Sequence, residues 1–207
     1  LEPSAGNGLL AWWAARAGAR LLLNEIGDQR RSNLAEAFGG AVLTSHDGEL
    51  IDDCLPADVR PSLVLMNPPF SRSLGRNEDR HAAARHLAAA MSRLSPGGRL
   101  VAIMPESFGP GGSGRVIRAS VDRQACLRLD ALIAPGAFAR HGTGVAVRLV
   151  VYDKLDERAG SVRATVDRIG SLLEPIQKLA RRTQVRVLHA RPKVRPLALV
   201  ARRPEPL

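Results

Sequence analysis

Short apolar runs alternate with segments of helical periodicity over most of this chain. Runs with strand character occupy Arg20–Glu25, Ala41–Ser45, Ser62–Met66 and Arg99–Met104. Between them the spacing predicts helices over Leu9–Ala17, Asp28–Phe38 and Glu78–Leu94. Gly39-Gly40 stops the second helix and Ser95-Pro96-Gly97-Gly98 the third, because glycine and proline cannot continue one. Trp12 and Trp13 in the first helix are expected to pack inward. Pro105–Gly114 is rich in Gly and Pro and reads as loop. A short helix near Val116–Arg123 and a strand near Leu127–Ile133 follow, and Val145–Tyr152 closes the sheet as a hairpin partner. Strands alternating with helices imply an α/β fold: a mostly parallel sheet with an antiparallel last strand and helices on both faces.

The pattern weakens after residue 153, which divides the chain into a body, 1–153, and a tail or linker, 154–207. Val162–Arg181 reads as helical, and prolines at 192, 196, 204 and 206 predict an extended end. Charge follows the same division. The chain of 207 residues carries +10, but the body holds 17 Lys/Arg against 15 Asp/Glu and the tail 13 against 5. A tail of that charge suits phosphate contacts, or serves as a solvated linker. Cys54 and Cys126 are too few and too distant for a zinc site or disulfide framework, so no metal is expected. They read as reduced thiols of a cytoplasmic protein, packed in or near the core. No run approaches transmembrane length and nothing at the start resembles a signal peptide, so no membrane partner is expected. The first residue already belongs to a motif, and the chain reads as a fragment cut inside or just after its first strand.

The candidate chemistry lies at strand ends, where open parallel sheets bind ligands. Leu1-Glu2-Pro3-Ser4-Ala5-Gly6-Asn7-Gly8 reads as a strand end opening into a glycine turn. Such a turn lets backbone approach a cofactor closely. The dinucleotide pattern fails, because Ala11 stands where a third glycine belongs. A carboxylate at Glu2 would repel a pyrophosphate and suits a ligand with a cationic end. Glu25 and Asp47 follow the next two strands; each alone is more readily a helix cap or surface acid. Asn67-Pro68-Pro69-Phe70 is a rigid loop able to hold a flat, amine-bearing group by one edge and one face. Its plain alternative is a strand end with Phe70 as a core plug.

In this order and spacing the glycine turn and Asn-Pro-Pro-Phe resemble the S-adenosylmethionine-dependent N6-adenine DNA methyltransferases of the gamma type. The resemblance covers roughly residues 1–153 and implies a Rossmann-like methyltransferase fold with S-adenosylmethionine as cofactor. It implies that Glu2, Pro3, Ser4, Gly6 and Gly8 face the methionine part. Glu25 would accept the ribose hydroxyls, Ile26 pack on adenine, and Asp47 accept the adenine amine. Asn67 and Pro68 would accept the hydrogens of the target amine, Pro69 stiffen the loop and Phe70 stack on the base. Arg72, Arg76 and His141 are the candidates for holding substrate, His141 on a loop over the pocket.

Asn24-Glu25-Ile26, His46-Asp47, Leu65–Ser71 and His141-Gly142-Thr143 look most like the methylase domain of bacterial strawberry-notch-like methylase–helicase proteins. That implies DNA as partner and a helicase domain in the parent chain. The family's segment upstream of the glycine turn is absent, which implies weak cofactor binding by this chain alone. No large target-recognition domain follows residue 153, which implies weak sequence specificity. Some RNA and protein-glutamine methyltransferases share the tetrapeptide, so an RNA base or a glutamine amide stays open as substrate. A non-catalytic nucleic-acid-binding module is the remaining alternative.

Overall fold

The computed structural model describes residues 1–70, 78–137, 144–155 and 160–179. In chain order the elements are α1 (Leu9–Arg16), β1 (Leu22–Asn24), α2 (Asp28–Ala37), β2 (Val42–Thr44), α3 (Ile51–Cys54) and β3 (Leu63–Met66). Then come α4 (Ala82–Arg93), β4 (Arg99–Pro105), α5 (Arg115–Asp122), β5 (Cys126–Ile133), β6 (Val147–Asp153), β7 (Val162–Val166) and α6 (Leu173–Gln177). Short 3-10 turns cover Gly48–Leu50, Glu106–Phe108 and Ile169–Leu172.

β1 and β2 pair in parallel, and β3-β4-β6-β5-β7 form a second run of paired strands. Leu1 and Glu2 join the two. Glu2 exchanges backbone hydrogen bonds with Leu22 and Asn24 at 3.0 and 2.9 Å, while the Leu1 carbonyl accepts from Leu65 N–H at 3.0 Å. One sheet results, with the carboxyl ends of residues 1–2, β1, β2, β3 and β4 at one edge. The antiparallel strand is β6, paired with β5 as expected and also with β4, so it lies between them.

Alternation along β4 divides the core. Leu100, Ala102 and Met104 face α4 and α5, in a cluster with Leu87, Met91, Leu94 and Val121. Val101 and Ile103 face the opposite side, with Leu129, Val151, Val166 and Leu172. β1 divides likewise: Leu23 packs with Ala11 and Leu34 of α1 and α2, and Leu22 with Ile51 of α3. Helices therefore cover both faces. α4 is alanine-rich, which lets it lie close to the sheet. Lys154 Nζ donates to the Met91, Ser92 and Leu94 carbonyls at 3.0, 3.1 and 3.0 Å, satisfying acceptors that a helix end leaves open.

Three expectations are corrected. Val162–Val166 is a strand, parallel to β5, so the sheet does not end at Tyr152 and only Leu173–Gln177 of the expected helix is α-helical. Val162, Ala164 and Val166 point to the core while Arg163 and Thr165 face out, a period of two that prevails over helix propensity. Trp12 and Trp13 are exposed, 44% and 62%, because α1 buries only Ala11 and turns its aromatic side outward. Their rings meet edge to face at 4.7 Å, with Arg16 over Trp12. Cys126 is buried but Cys54, at the end of α3, is exposed. Segment 51–54, for which the sequence pattern predicts no element, is helical.

Candidate functional site

The strand-end edge holds a cavity of about 470 Å³. Pro3, Ser4, Gly6 and Asn7 of the glycine turn line it, with Asn24 at the end of β1 and Glu25 and Ile26 after it, His46, Asp47 and Gly48 after β2, and Asn67 and Pro69 after β3. Arg30 of α2 and His86 of α4 complete the wall. Parallel strands place their carboxyl ends together, so segments far apart in sequence converge without any local signal.

Glu25 is the best-anchored acid. Its Oε2 accepts the Gly6 N–H at 2.8 Å, and Oε1 accepts Gly27 N–H at 2.8 Å and the Arg30 guanidinium at 2.9 and 2.8 Å. Burial opposes its ionisation, but the hydrogen bonds from Arg30, Gly27 and Gly6 outweigh it and hold its pKa below the usual carboxylate value. Gly6 reaches this bond through a positive φ of 54°, and a Cβ there would meet nothing, leaving the turn open to a ligand. Ile26 is 44% exposed on the wall, an apolar surface that an aromatic ring would cover. Asp47 turns one oxygen to Glu49 N–H at 3.0 Å.

Asn24 has all its hydrogen-bonding positions filled. Its amide nitrogen donates to the Pro3 and His46 carbonyls, both at 2.9 Å, and its oxygen accepts from Thr44 Oγ1 and His46 N–H, both at 2.8 Å. One buried side chain thus fixes the glycine turn and the β2 loop relative to each other. His86 does the same from α4: its Nδ1 lies 3.3 Å from Ser4 Oγ, and Gly48 packs against its ring. Burial pushes the His86 pKa down, against the raising influence of Glu49 and Asp47. Neither residue was among the candidate site residues read from the sequence. Asn24 had a signal, a polar residue ending an apolar strand, whereas His86 had none.

Glu2 and Gly8 lie outside the cavity lining. Glu2 is 5% exposed, held by the Ala11 N–H at the start of α1, and its Oε2 has no partner among the described residues. Desolvation pushes its pKa up to about 7. Gly8 has a φ of 79°, and a Cβ would lie 2.7 Å from both Leu34 and Phe38, so this glycine lets α1 pack on α2. Asn67 and Pro69 are exposed on the wall and Pro68 is buried. Phe70 is half-buried against both faces of the core. Arg72, Arg76 and His141 lie outside the described residues. Among the described residues no group of three or more His, Cys, Asp or Glu could hold a metal, and no helix is long and apolar enough to cross a membrane.

No family model and no curated protein sequence matches the chain. Solved structures do. A Listeria monocytogenes protein described as a class I S-adenosylmethionine-dependent methyltransferase superposes with a TM-score of 0.63 at 13% identity, over 85% of this chain and 61% of that one. The methyltransferase subunit of a type I restriction-modification system from Streptococcus thermophilus gives 0.62 at 14%, over 89% and 48%. The M protein of type I restriction enzyme EcoKI gives 0.59 at 18%, over 74% and 39%. The chain spans between two fifths and three fifths of the length of these proteins. At such identities the likeness is one of fold: this chain has the fold of class I S-adenosylmethionine-dependent methyltransferases.

Proposed function

We propose that the chain transfers a methyl group from S-adenosylmethionine to the N6 amine of adenine in DNA. One observation carries this reading. A single cavity is lined by the glycine turn, by Glu25, Ile26 and Asp47, and by Asn67 and Pro69. The residues fit the cofactor by chemistry: an acid with an open lone pair for a diol, an exposed isoleucine for a flat ring, and a second acid for an amine. The unpartnered, buried Glu2 oxygen suits a nearby cationic end. When bound, S-adenosylmethionine supplies an electrophilic methyl group on a sulfonium.

The chain's own contribution is positioning, since a neutral leaving group needs little acid–base help. The exocyclic amine of adenine is a poor nucleophile because its lone pair is delocalised. Acceptors on its two hydrogens draw it towards tetrahedral geometry and offset positive charge as it develops. The Asn67 oxygen and the Pro68 carbonyl take that role in this reading, and Pro69 keeps both in place. A base can reach them only after leaving the duplex. The motif resemblance extends the proposal to a cytoplasmic protein with Arg72, Arg76 and His141 on the substrate side and a helicase domain as partner.

Phe70 favours a second reading. It is half-buried and packs against both core clusters as a plug would, and a glutamine amide would need no stacking. Tritiated methyl transfer to single-stranded DNA, duplex DNA, RNA and glutamine peptides separates these substrates. Label in N6-methyladenine of DNA is the expected result; label in RNA or glutamine alone would replace it.

A further inference from the structure

We propose that Arg30 occupies the ribose end of the cavity and is displaced when a nucleoside diol binds, so that it acts as an internal competitor setting affinity. The inference rests on reading Glu25 as the ribose acceptor. A carboxylate oxygen offers about two lone-pair directions. Glu25 Oε1 already accepts three donors, the Gly27 N–H at 2.8 Å and Arg30 Nε and Nη2 at 2.9 and 2.8 Å. Oε2 accepts one, the Gly6 N–H at 2.8 Å. A vicinal diol asks for an acceptor position on each oxygen. Oε2 has that room and Oε1 does not.

Of the donors on Oε1, only Arg30 is free to leave. Gly27 lies two residues from Glu25, at the entry to α2, and its N–H is fixed by the chain. The Arg30 side chain is 52% exposed, lines the cavity and hangs on a flexible stem from the first turn of α2. A Cβ on Gly27 would lie 2.9 Å from Arg30 Nη2 and 3.0 Å from Glu25 Oε1, so the glycine makes room for the pair. Arg31 keeps the loop in place when Arg30 moves. Its Nη1 holds the Glu25 and Ile26 carbonyls at 3.1 and 3.4 Å, and its Nη2 pairs with Asp28 at 2.5 Å.

Arg30 is half exposed although its partner Glu25 is 5% exposed, so salt reaches and screens the pair from the arginine side. Breaking it on binding has a consequence opposite to that of ordinary charge attraction. Salt weakens the Arg30–Glu25 pair and thereby strengthens the binding of a ligand without net charge.

The test is isothermal titration calorimetry of the whole chain and Arg30→Ala, with adenosine and with S-adenosylhomocysteine, at low and high potassium chloride. Arg30→Ala should bind both about two- to fivefold more tightly than the parent at low salt, the scale of an ion pair whose cation is open to solvent. The parent should gain affinity with salt and the variant should not. Equal or weaker binding by Arg30→Ala, with nucleoside binding intact in the parent, would overturn the role of Arg30 alone. Failure of both proteins to bind either nucleoside would overturn the cofactor reading and this inference with it.

Discussion

Ser4 Oγ and His86 Nδ1 lie 3.3 Å apart although 82 positions separate them, and this contact ties the glycine turn to the helix behind the cavity. The ring leaves no room for a side chain at the loop after β2: a Cβ on Gly48 would lie 2.6 Å from His86 Nδ1 and 2.9 Å from the Pro3 carbonyl. Gly48→Ala should therefore cost about 1–3 kcal/mol of stability through overpacking. In a His86→Ala background the same change should cost less, because the ring is gone and only the carbonyl remains. A double-mutant cycle in urea measures the coupling. Additive losses would mean that the two residues do not share this space.

The depressed pKa of His86 gives a pH dependence of known sign. Folding favours the neutral ring, so its contribution is complete above the unfolded-state value of about 6.5 and declines as pH falls below it. His86→Gln should remove that acid-side decline. Urea midpoints between about pH 5 and pH 8 measure it. An unchanged slope in the variant would contradict the assignment.

Glu2 has the opposite sign. Its folded pKa is raised to about 7 by burial, so the folded protein holds the proton more tightly than the unfolded chain does. Stability from this group is present below the unfolded value of about 4.3 and is lost as pH rises through the folded one. Glu2→Gln keeps an acceptor for Ala11 and removes the buried charge, and should gain about 1–3 kcal/mol relative to the parent at pH 8. Denaturant midpoints across pH provide the check; parallel curves for the two proteins would refute it.

Deletions at two positions should behave differently. Removing 154–207 strips Lys154 from the end of α4 and β7 from the sheet, and should abolish cooperative thermal unfolding followed by circular dichroism. Removing only 180–207 keeps both, yet takes away 8 Lys/Arg against 1 Asp/Glu. If those residues contact phosphates, the slope of log affinity against log salt should fall by roughly 0.9 per lost contact on duplex DNA. Fluorescence anisotropy gives the slope, and the same value with and without 180–207 would leave that segment as a tether.

The strand ends were the most legible part of the chain, because a parallel sheet gathers them whatever the loops do. Pro3, Ser4, Gly6, Glu25, Ile26, Asp47, Asn67 and Pro69, all singled out in the sequence, line one cavity, whereas Glu2, Gly8, Pro68 and Phe70 do not. Gly8 was conspicuous for the same glycine spacing, but it serves helix packing, and one motif cannot reveal which glycine does which. His86 was illegible because nothing local distinguishes a buried helical histidine; Ser4 and Gly48 single it out, and both are distant in sequence. β7 carried a legible alternation, yet five residues followed at once by a helical turn are too short for period alone to decide. Trp12 and Trp13 went wrong for a different reason. Large aromatic residues are usually inside, but α1 is short and places a single alanine against the sheet.

In the proposed reaction Asn67 presents an acceptor to the target amine rather than supporting the cofactor. The measurement is tritiated methyl transfer to DNA by Asn67→Ala, run beside calorimetry with S-adenosylhomocysteine on the same protein. Transfer should fall by about two to three orders of magnitude, the usual scale for one such contact, while nucleoside affinity stays within about twofold of the parent. Transfer that survives while cofactor affinity collapses would contradict the account and make Asn67 part of the cavity wall alone.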